Sequence, residues 1–318
     1  MIIDAAHSHL REIPVDQIDR NPENPRIVFR SGELEALTES IRRHGVQVPI
    51  SVYQEGRRYF LIDGERRWRS CIKLNKKAIP ALVQDKPDDL TNVLLMFNIH
   101  ALREQWDLLT IALKLPHVIQ LLQARLGKEP SERELSEQTG LLRSVIRRCR
   151  LLMELPETYR SDLLEELKKP KPQQKLSEDF FIEMERALKT VERSIPDVIK
   201  DKNKVRDVLI SKYKKDVIPD MTDLRQVGKI ARAEKVAADT GKARDALTKL
   251  FRANSYSPQK AYEESVIDAY EERDLLTRIE SLLQRLQNIT PAKLDADLRR
   301  ALERLAAKVA ALLDRPRP

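Results

Sequence analysis

Apolar positions come in short alternating runs over roughly the first 90 residues, and at three- and four-residue steps beyond them. Ile13-Pro14-Val15 predicts a short strand. Asn21-Pro22-Glu23-Asn24-Pro25-Arg26 predicts a rigid loop, because each proline holds the residue before it extended. Glu33 to His44 sets Leu34, Leu37 and Ile41 on one face, ends at Gly45, and predicts a helix. Val48 to Tyr53 and Arg58 to Ile62 predict strands parted by Gln54-Glu55-Gly56-Arg57, and Ile79 to Val83 predicts another. Glu65 to Leu74 between them predicts a helix, so residues 10 to 90 predict a small α/β unit. Everything beyond reads as helix.

The helical part carries a signal of its own. Ser131-Glu132-Arg133-Glu134 is a capping box opening a short helix, Gly140 marks a turn, and Leu141 to Met153 predicts a second helix. In a helix-turn-helix frame, Leu135, Leu141, Ile146 and Cys149 fall on buried positions and Ser136 on the tight helix contact. The second helix then exposes Arg143, Ser144, Arg147, Arg148 and Arg150. A recognition helix in a major groove needs such a surface, with Arg for guanine edges and phosphates and Ser for phosphates. The alternative is an ordinary helical hairpin with a basic face. Turn glycine, buried pattern and Arg cluster agree, and together they favour DNA binding.

Lys168-Lys169-Pro170-Lys171-Pro172-Gln173-Gln174-Lys175 predicts a hinge or linker, since helix cannot run through its prolines. Leu176 to Ala253 reads as charged helices broken near Pro196 and Pro219, a solvated scaffold with no catalytic constellation. Leu275, Ile279, Leu282 and Leu286 then recur at helical spacing. Thr290-Pro291 is expected to cap a further helix carrying Leu298, Leu302, Leu305, Val309 and Leu312. That rhythm fits a hairpin that either pairs with a second copy or docks onto the preceding helices.

Composition narrows the partners. Lys and Arg number 58 against 50 Asp and Glu, a net charge of +8 that suits nucleic acid. No apolar run approaches the roughly 20 residues of a membrane span. Met1 to Leu10 lacks the basic start and apolar core of a secretory signal, so the expected location is cytoplasmic, at the nucleoid or a plasmid. Cys71 and Cys149 read as buried apolar residues, and the five His show no ligand spacing beyond His7-Ser8-His9 in a tail.

The candidate chemistry lies in Asp63-Gly64-Glu65-Arg66-Arg67-Trp68-Arg69-Ser70, which follows the strand Tyr59-Phe60-Leu61-Ile62. Glycine at a strand-to-helix turn admits close approach of a ligand, and the first helical turn offers unpaired N–H groups to an anion. Arg66, Arg67 and Arg69 add guanidinium forks suited to phosphate. The local reading is a polyphosphate site; the plainer one is a solvated helix start with Glu65 complementing the helix dipole.

In this order the motifs resemble those of ParB-type partition proteins, including the plasmid branch. Asn21 to Arg26 looks like that family's Asn-Pro…Pro-Arg box, Gly45-Val46-Gln47-Val48-Pro49-Ile50 like its cytosine-side motif, and Gly64 to Arg69 like its phosphate motif. The similarity covers about residues 12 to 165. It implies an α+β fold class: a small ParB/sulfiredoxin-like α/β domain followed by an all-helical helix-turn-helix and helical C-terminal regions. The expected organisation is a flexible tail over 1–11, a nucleotide-binding domain over 12–112 and a helix-turn-helix domain over 113–167. A linker over 168–175, a helical region over 176–256 and a C-terminal hairpin over 257–318, contributing to dimerisation, complete it.

What the resemblance implies functionally is a CTP-binding clamp on double-stranded DNA with a centromere-like site, working as a homodimer with a ParA-type ATPase. Carried over by position, Gly64, Glu65, Arg66 and Arg67 would hold the triphosphate. Gly45, Val48, Pro49 and Ile50 would lie near the base, and Arg26 would help close the pocket. The family often has a Glu-Asn pair that helps hold Mg²⁺; here that place reads Phe97-Asn98, so Asn98 alone can supply an oxygen. The usual Gln-Arg that follows is displaced in Ile99-His100-Ala101-Leu102-Arg103-Glu104. Losing a carboxylate weakens the metal site, so binding of CTP is expected to outlast its hydrolysis.

A transcriptional regulator of the same architecture is the main alternative. Sulfiredoxins of this fold carry a Cys where Glu65 stands, and Cys71 lies too far along the helix to replace it. A phosphotransferase resembling the free-serine kinases needs an acidic base, for which Glu65 or Asp63 is available. A nuclease needs a carboxylate cluster that the sequence does not display.

Overall fold

The computed structural model describes residues 9–24, 31–98, 107–236, 239–287, 289–290 and 295–314. Its N-terminal unit is a five-stranded mixed sheet in the order β1-β5-β3-β4-β2, formed by β1 (His9–Pro14), β2 (Ile18–Asp19), β3 (Ile50–Glu55), β4 (Arg58–Asp63) and β5 (Ala78–Gln84). β1 runs antiparallel to β5, β5 parallel to β3, β3 antiparallel to β4, and β4 parallel to β2. Two helices, α1 (Ser31–His44) and α2 (Glu65–Lys73), pack on it. Ile13, Ile50, Val52, Leu61, Ile79, Ala81 and Val83 from the strands meet Ile41 of α1 and Cys71 of α2 in one core. Strand period two puts Tyr53 and Phe60 on the opposite face, where their rings stack at 5.4 Å.

The first strand begins at His9, inside the segment that read as a tail, and pairs with β5 from His9↔Val83 to Pro14↔Ala78. Its pattern is faint because it is an edge strand, with only Ile13 buried.

Twelve further α-helices follow among the described residues. They are α3 (Asp89–Met96), α4 (Leu108–Leu126), α5 (Glu132–Thr139), α6 (Arg143–Met153), α7 (Glu157–Lys168), α8 (Glu178–Ser194), α9 (Lys202–Lys214), α10 (Leu224–Ala231), α11 (Thr240–Arg252), α12 (Pro258–Ser265), α13 (Ile267–Gln287) and α14 (Ala296–Leu313). One continuous core runs from Leu90 of α3 to Val266, through Leu115, Leu152, Phe180, Leu209 and Leu247. Residues 168–175, expected as a linker, make a tight exposed turn between α7 and α8 that is tied to α7 by hydrogen bonds. Gln174 donates to the carbonyls of Leu167 and Lys169, and Glu166 accepts the Lys175 N–H at 2.8 Å. The stretch 176–253 is likewise no solvated scaffold: Phe180 and Phe181 are fully buried, and Phe180 stacks on Tyr213 at 4.3 Å.

Three side-chain contacts among the described residues fasten the N-terminal unit to α3 and α4. Asn21 donates to Asn92 of α3 at 2.9 Å in a buried pair, and Glu23 lies 3.2 Å from His117 and 3.6 Å from Lys114 of α4. At the other end, α13 and α14 have no buried residue, and Leu275, Ile279, Leu282, Leu305, Val309 and Leu312 are exposed. The cap of α14 is Asp295, which accepts the Leu298 N–H, rather than Thr290; Pro291 lies outside the described residues.

Candidate nucleotide and nucleic-acid sites

The turn between β4 and α2 has the conformation its glycine requires. Gly64 sits at φ 99° and ψ 20° as the N-cap of α2, with no side chain capping the helix. A Cβ there would stand 2.5 Å from Ile50 Cγ2 on the neighbouring strand. The strand-to-helix turn is thus pressed onto the 48–50 segment, and two sequence motifs 14 residues apart, at Ile50 and Gly64, meet in space.

Arg67 ties them further. Its Nη1 donates to the carbonyls of Val48 at 2.8 Å and Pro49 at 2.9 Å, and its Nη2 to Asp63 at 3.0 Å. The guanidinium that read as a phosphate fork therefore holds Val48 and Pro49 against the turn. Glu65 likewise does more than complement a helix dipole. Its side chain is 4% exposed and pairs with Arg20 at 3.0 Å and Arg69 at 2.7 Å, while Asn24 donates to it at 2.6 Å. One carboxylate thereby organises the loop after β2 and takes up Arg69, another of the expected forks. Arg66 is half-exposed on the first turn. Val48 is exposed, and Gly45, at φ 72°, closes α1 through its N–H to the Ile41 carbonyl. Arg26 and Arg103 lie outside the described residues.

Phe97 is fully buried in the helical core, packed with Met96 and Val93. Asn98 is exposed, and its amide donates to the Leu94 carbonyl at 3.0 Å. Among the described residues no three His, Cys, Asp or Glu side chains converge as metal ligands.

The two helices α5 and α6 and the turn between them form where the capping box and Gly140 place them. Ser131 caps α5 by accepting the Glu134 N–H, and Glu134 returns to the Ser131 N–H at 2.8 Å. These bonds, with Lys128 beside it, hold the Glu134 carboxyl down to about 2. Gly140 ends α5 at φ 74°, and Ser136 donates to the Leu141 carbonyl at 2.6 Å. Leu135, Leu141, Ile146 and Cys149 are all buried, and burial pushes the Cys149 thiol up to about 12, a chemically inert group.

The outer face of α6 presents Arg143, Ser144 and Arg147 to solvent, with Arg148 and Arg150 half-exposed. Arg148 is held by Asp179 at the start of α8, and Arg143 and Arg147 both stand 3.9 Å from Glu132. α6 shares a cleft of about 610 Å³ with α8, whose Arg186 and Lys189 line it beside Ser144, Arg147 and Arg150, with Lys189 paired to Glu154 of the same cleft. No short-range signal marks those two residues, since α8 is distant from α6 in sequence and meets it only in the folded chain.

The family profile described as ParB N-terminal domain matches residues 3–99. Over 161 residues the chain is 33% identical to a nucleoid occlusion protein of Bacillus thuringiensis (strain Al Hakam), covering 50% of this chain and 53% of that one. The chain thus spans about half the length of the curated relatives it matches. Among solved structures, it is similar to the C-terminally truncated chromosome-partitioning protein ParB of Caulobacter crescentus complexed with CTP-gamma-S. That likeness is 29% identity over 49% of this chain and 85% of that one, at a TM-score of 0.29. The same truncated protein complexed to the centromeric parS site is 23% identical over 70% of this chain and 98% of that one, at a TM-score of 0.42. The sheet, the turn before α2 and the loop bound to it lie within residues 3–99, the part of the chain that matches a ParB N-terminal domain.

Proposed function

We propose that this chain is a sequence-specific DNA-binding partition protein that takes CTP in its N-terminal unit and closes on duplex DNA as a homodimer. The observation that carries the reading is the pair α5 and α6, joined at Gly140 and basic on the outer face of α6, following a segment that matches a ParB N-terminal domain; we read the pair as a helix-turn-helix. Arg143, Arg147 and Arg150 serve base edges and phosphates, and Ser144 serves phosphate. Arg186 and Lys189 widen the basic surface along the backbone.

The nucleotide reading rests on the turn. The uncapped first turn of α2 offers its N–H groups, Gly64 keeps the approach free of a side chain, and Arg66 supplies a guanidinium. CTP would lie with its triphosphate on Gly64–Arg67 and its base towards Gly45, Val48, Pro49 and Ile50, with Arg26 closing over it. Arg67 and Glu65 act by holding the surrounding loops. Mg²⁺ would take phosphate oxygens, water and the Asn98 oxygen; with Phe97 buried where a carboxylate would be needed, hydrolysis is slow or absent. The exposed stripes of α13 and α14 supply the dimer contact, and a ParA-type ATPase moves the complex.

The relatives' name favours a second reading, a nucleoid occlusion factor. Crosslinking the full chain in cells and sequencing the bound DNA separates the two. Partition predicts enriched sites beside a ParA-type ATPase gene, and enriched sites with no such gene nearby would speak against it. No enriched site at all would refute specific DNA binding. Titration calorimetry with CTP, ATP and GTP in Mg²⁺, with and without the enriched DNA, tests the nucleotide. Binding of CTP alone is expected, and no CTP heat in either condition would refute the site.

A further inference from the structure

The first helical residue of α6 is preceded by an N-cap, Leu142, that breaks a local rule. An N-cap favours Ser, Thr, Asp or Asn, whose side chains accept an otherwise unpaired N–H; leucine offers nothing. Seven other helices follow the rule: Asp88, Ser131, Ser177, Asp201, Asp239, Ser257 and Asp295 each accept a backbone N–H at the start of their helix, while Gly64, Asp107, Pro156 and Asp223 make no such bond. Among the described residues that precede an α-helix, Leu142 is the exposed aliphatic; Val266, before α13, is buried at 2%.

Packing does not account for it. Leu142 is 70% exposed, more than any other large apolar residue among those described except Leu313 near the C-terminal end. Its neighbour Leu141 already fills the core at 4% exposure. An aliphatic side chain held out into water, at a position where a polar one would strengthen the helix, has no structural use. Such violations are expected where a side chain serves a ligand.

The setting says which ligand. Leu142 stands at the N-terminal tip of the recognition helix, the part that meets base edges, and Arg143, Ser144 and Arg147 follow it in solvent. These cationic and hydroxyl groups suit phosphates and guanine edges. The one apolar feature of the major groove is the C5-methyl of thymine, and an aliphatic contact reads it. An acidic cap here would bring a carboxylate against the phosphates, and a serine would leave the methyl without a partner. We infer that Leu142 is a specificity residue that packs on the methyl group of one thymine in each half-site.

This rests on the DNA-binding reading, and the experiment keeps the two apart. Duplexes are selected by the full chain from a random pool, and each thymine in the selected half-site is replaced singly by deoxyuridine, which removes only the methyl. Binding should weaken roughly fourfold at one position, the factor that burying one methyl-sized group is worth. Leu142→Ser should erase that penalty while raising the melting temperature of the free protein, because the cap is restored. Retained duplexes whose half-sites lack a thymine would overturn the inference, and so would tolerance of uracil at every position. An unchanged uracil penalty in Leu142→Ser would overturn it equally. Failure to retain any duplex would overturn the DNA-binding reading itself.

Discussion

Gly64→Ala tests the geometry on which the nucleotide site depends. Gly64 sits at φ 99°, and an L-residue there costs about 1–2 kcal/mol of backbone strain. Its new Cβ would stand 2.5 Å from Ile50 Cγ2 and 3.1 Å from Arg67 Nη2. The arginine can shift, but Ile50 is fully buried and its strand is locked to β5 through Ile50↔Ala81. Overpacking of this kind costs about 1–3 kcal/mol, so the substitution should destabilise the N-terminal unit by roughly 2–5 kcal/mol. The assay is hydrogen exchange of the strand amides in residues 50–63 across a urea series, which reports this unit apart from the helical core. Ile50→Ala removes the colliding atom at a cavity cost of about 2–5 kcal/mol. In the double variant the steric part should be recovered, giving a coupling of about 1–3 kcal/mol while the φ strain persists. A single variant within about 0.5 kcal/mol of the parent, or a strictly additive cycle, would refute the argument.

Three other outcomes follow from the helical body. Burial pushes the Glu178 carboxyl up to about 7, against the lowering effect of the Leu109 N–H that it accepts, with Asp107 and Asp179 adding repulsion. Because the folded value is raised, its contribution is fully present below the unfolded value and lost as pH rises through 7; Glu178→Gln should flatten that slope of on the order of 1–3 kcal/mol in urea titrations at pH 4.5 to 8. Burial pushes the Lys212 ammonium the other way, down to about 8, although it donates to the carbonyls of Leu250 and Tyr256. Stability should therefore fall as pH drops from about 10.5 through 8, and Lys212→Met should remove this dependence; an identical pH profile would refute the shift. Finally, Ile279→Lys with Leu282→Lys should lower the sedimenting mass of the full chain to that of one copy, and an unchanged mass would place the dimer contact elsewhere.

Rules that act within one or two turns of chain were legible in the sequence. Ser131 and Glu134 form their capping box, Gly45, Gly64 and Gly140 take positive φ where elements end or begin, and Leu135, Leu141, Ile146 and Cys149 go inside. Spacing alone decides those outcomes, because the partners are neighbours in sequence. The strand pattern of residues 50–63 and 78–84 belongs to the same class, since a core-facing strand must alternate.

Tertiary structure decided what each charged side chain does. An Arg after a glycine turn reads as a phosphate ligand until its distance to carbonyls 18 and 19 residues away is known, and Arg67 spends its guanidinium on Pro49 and Val48. Glu65 reads as a helix-start acid, yet it is buried by Arg20 and Asn24, which arrive from 45 and 41 residues earlier. Arg148 reads as free until Asp179 of α8 meets it, and Arg186 and Lys189 have no place in the basic cleft until α8 packs against α6. The prolines of 168–175 speak for a break in helix, which occurs, but not for a break in the core, which does not. Local sequence sets the conformation of each element, because sterics and capping act at short range. Which groups are left free for a ligand depends on contacts made across the fold, and a single chain in one dimension does not carry those distances.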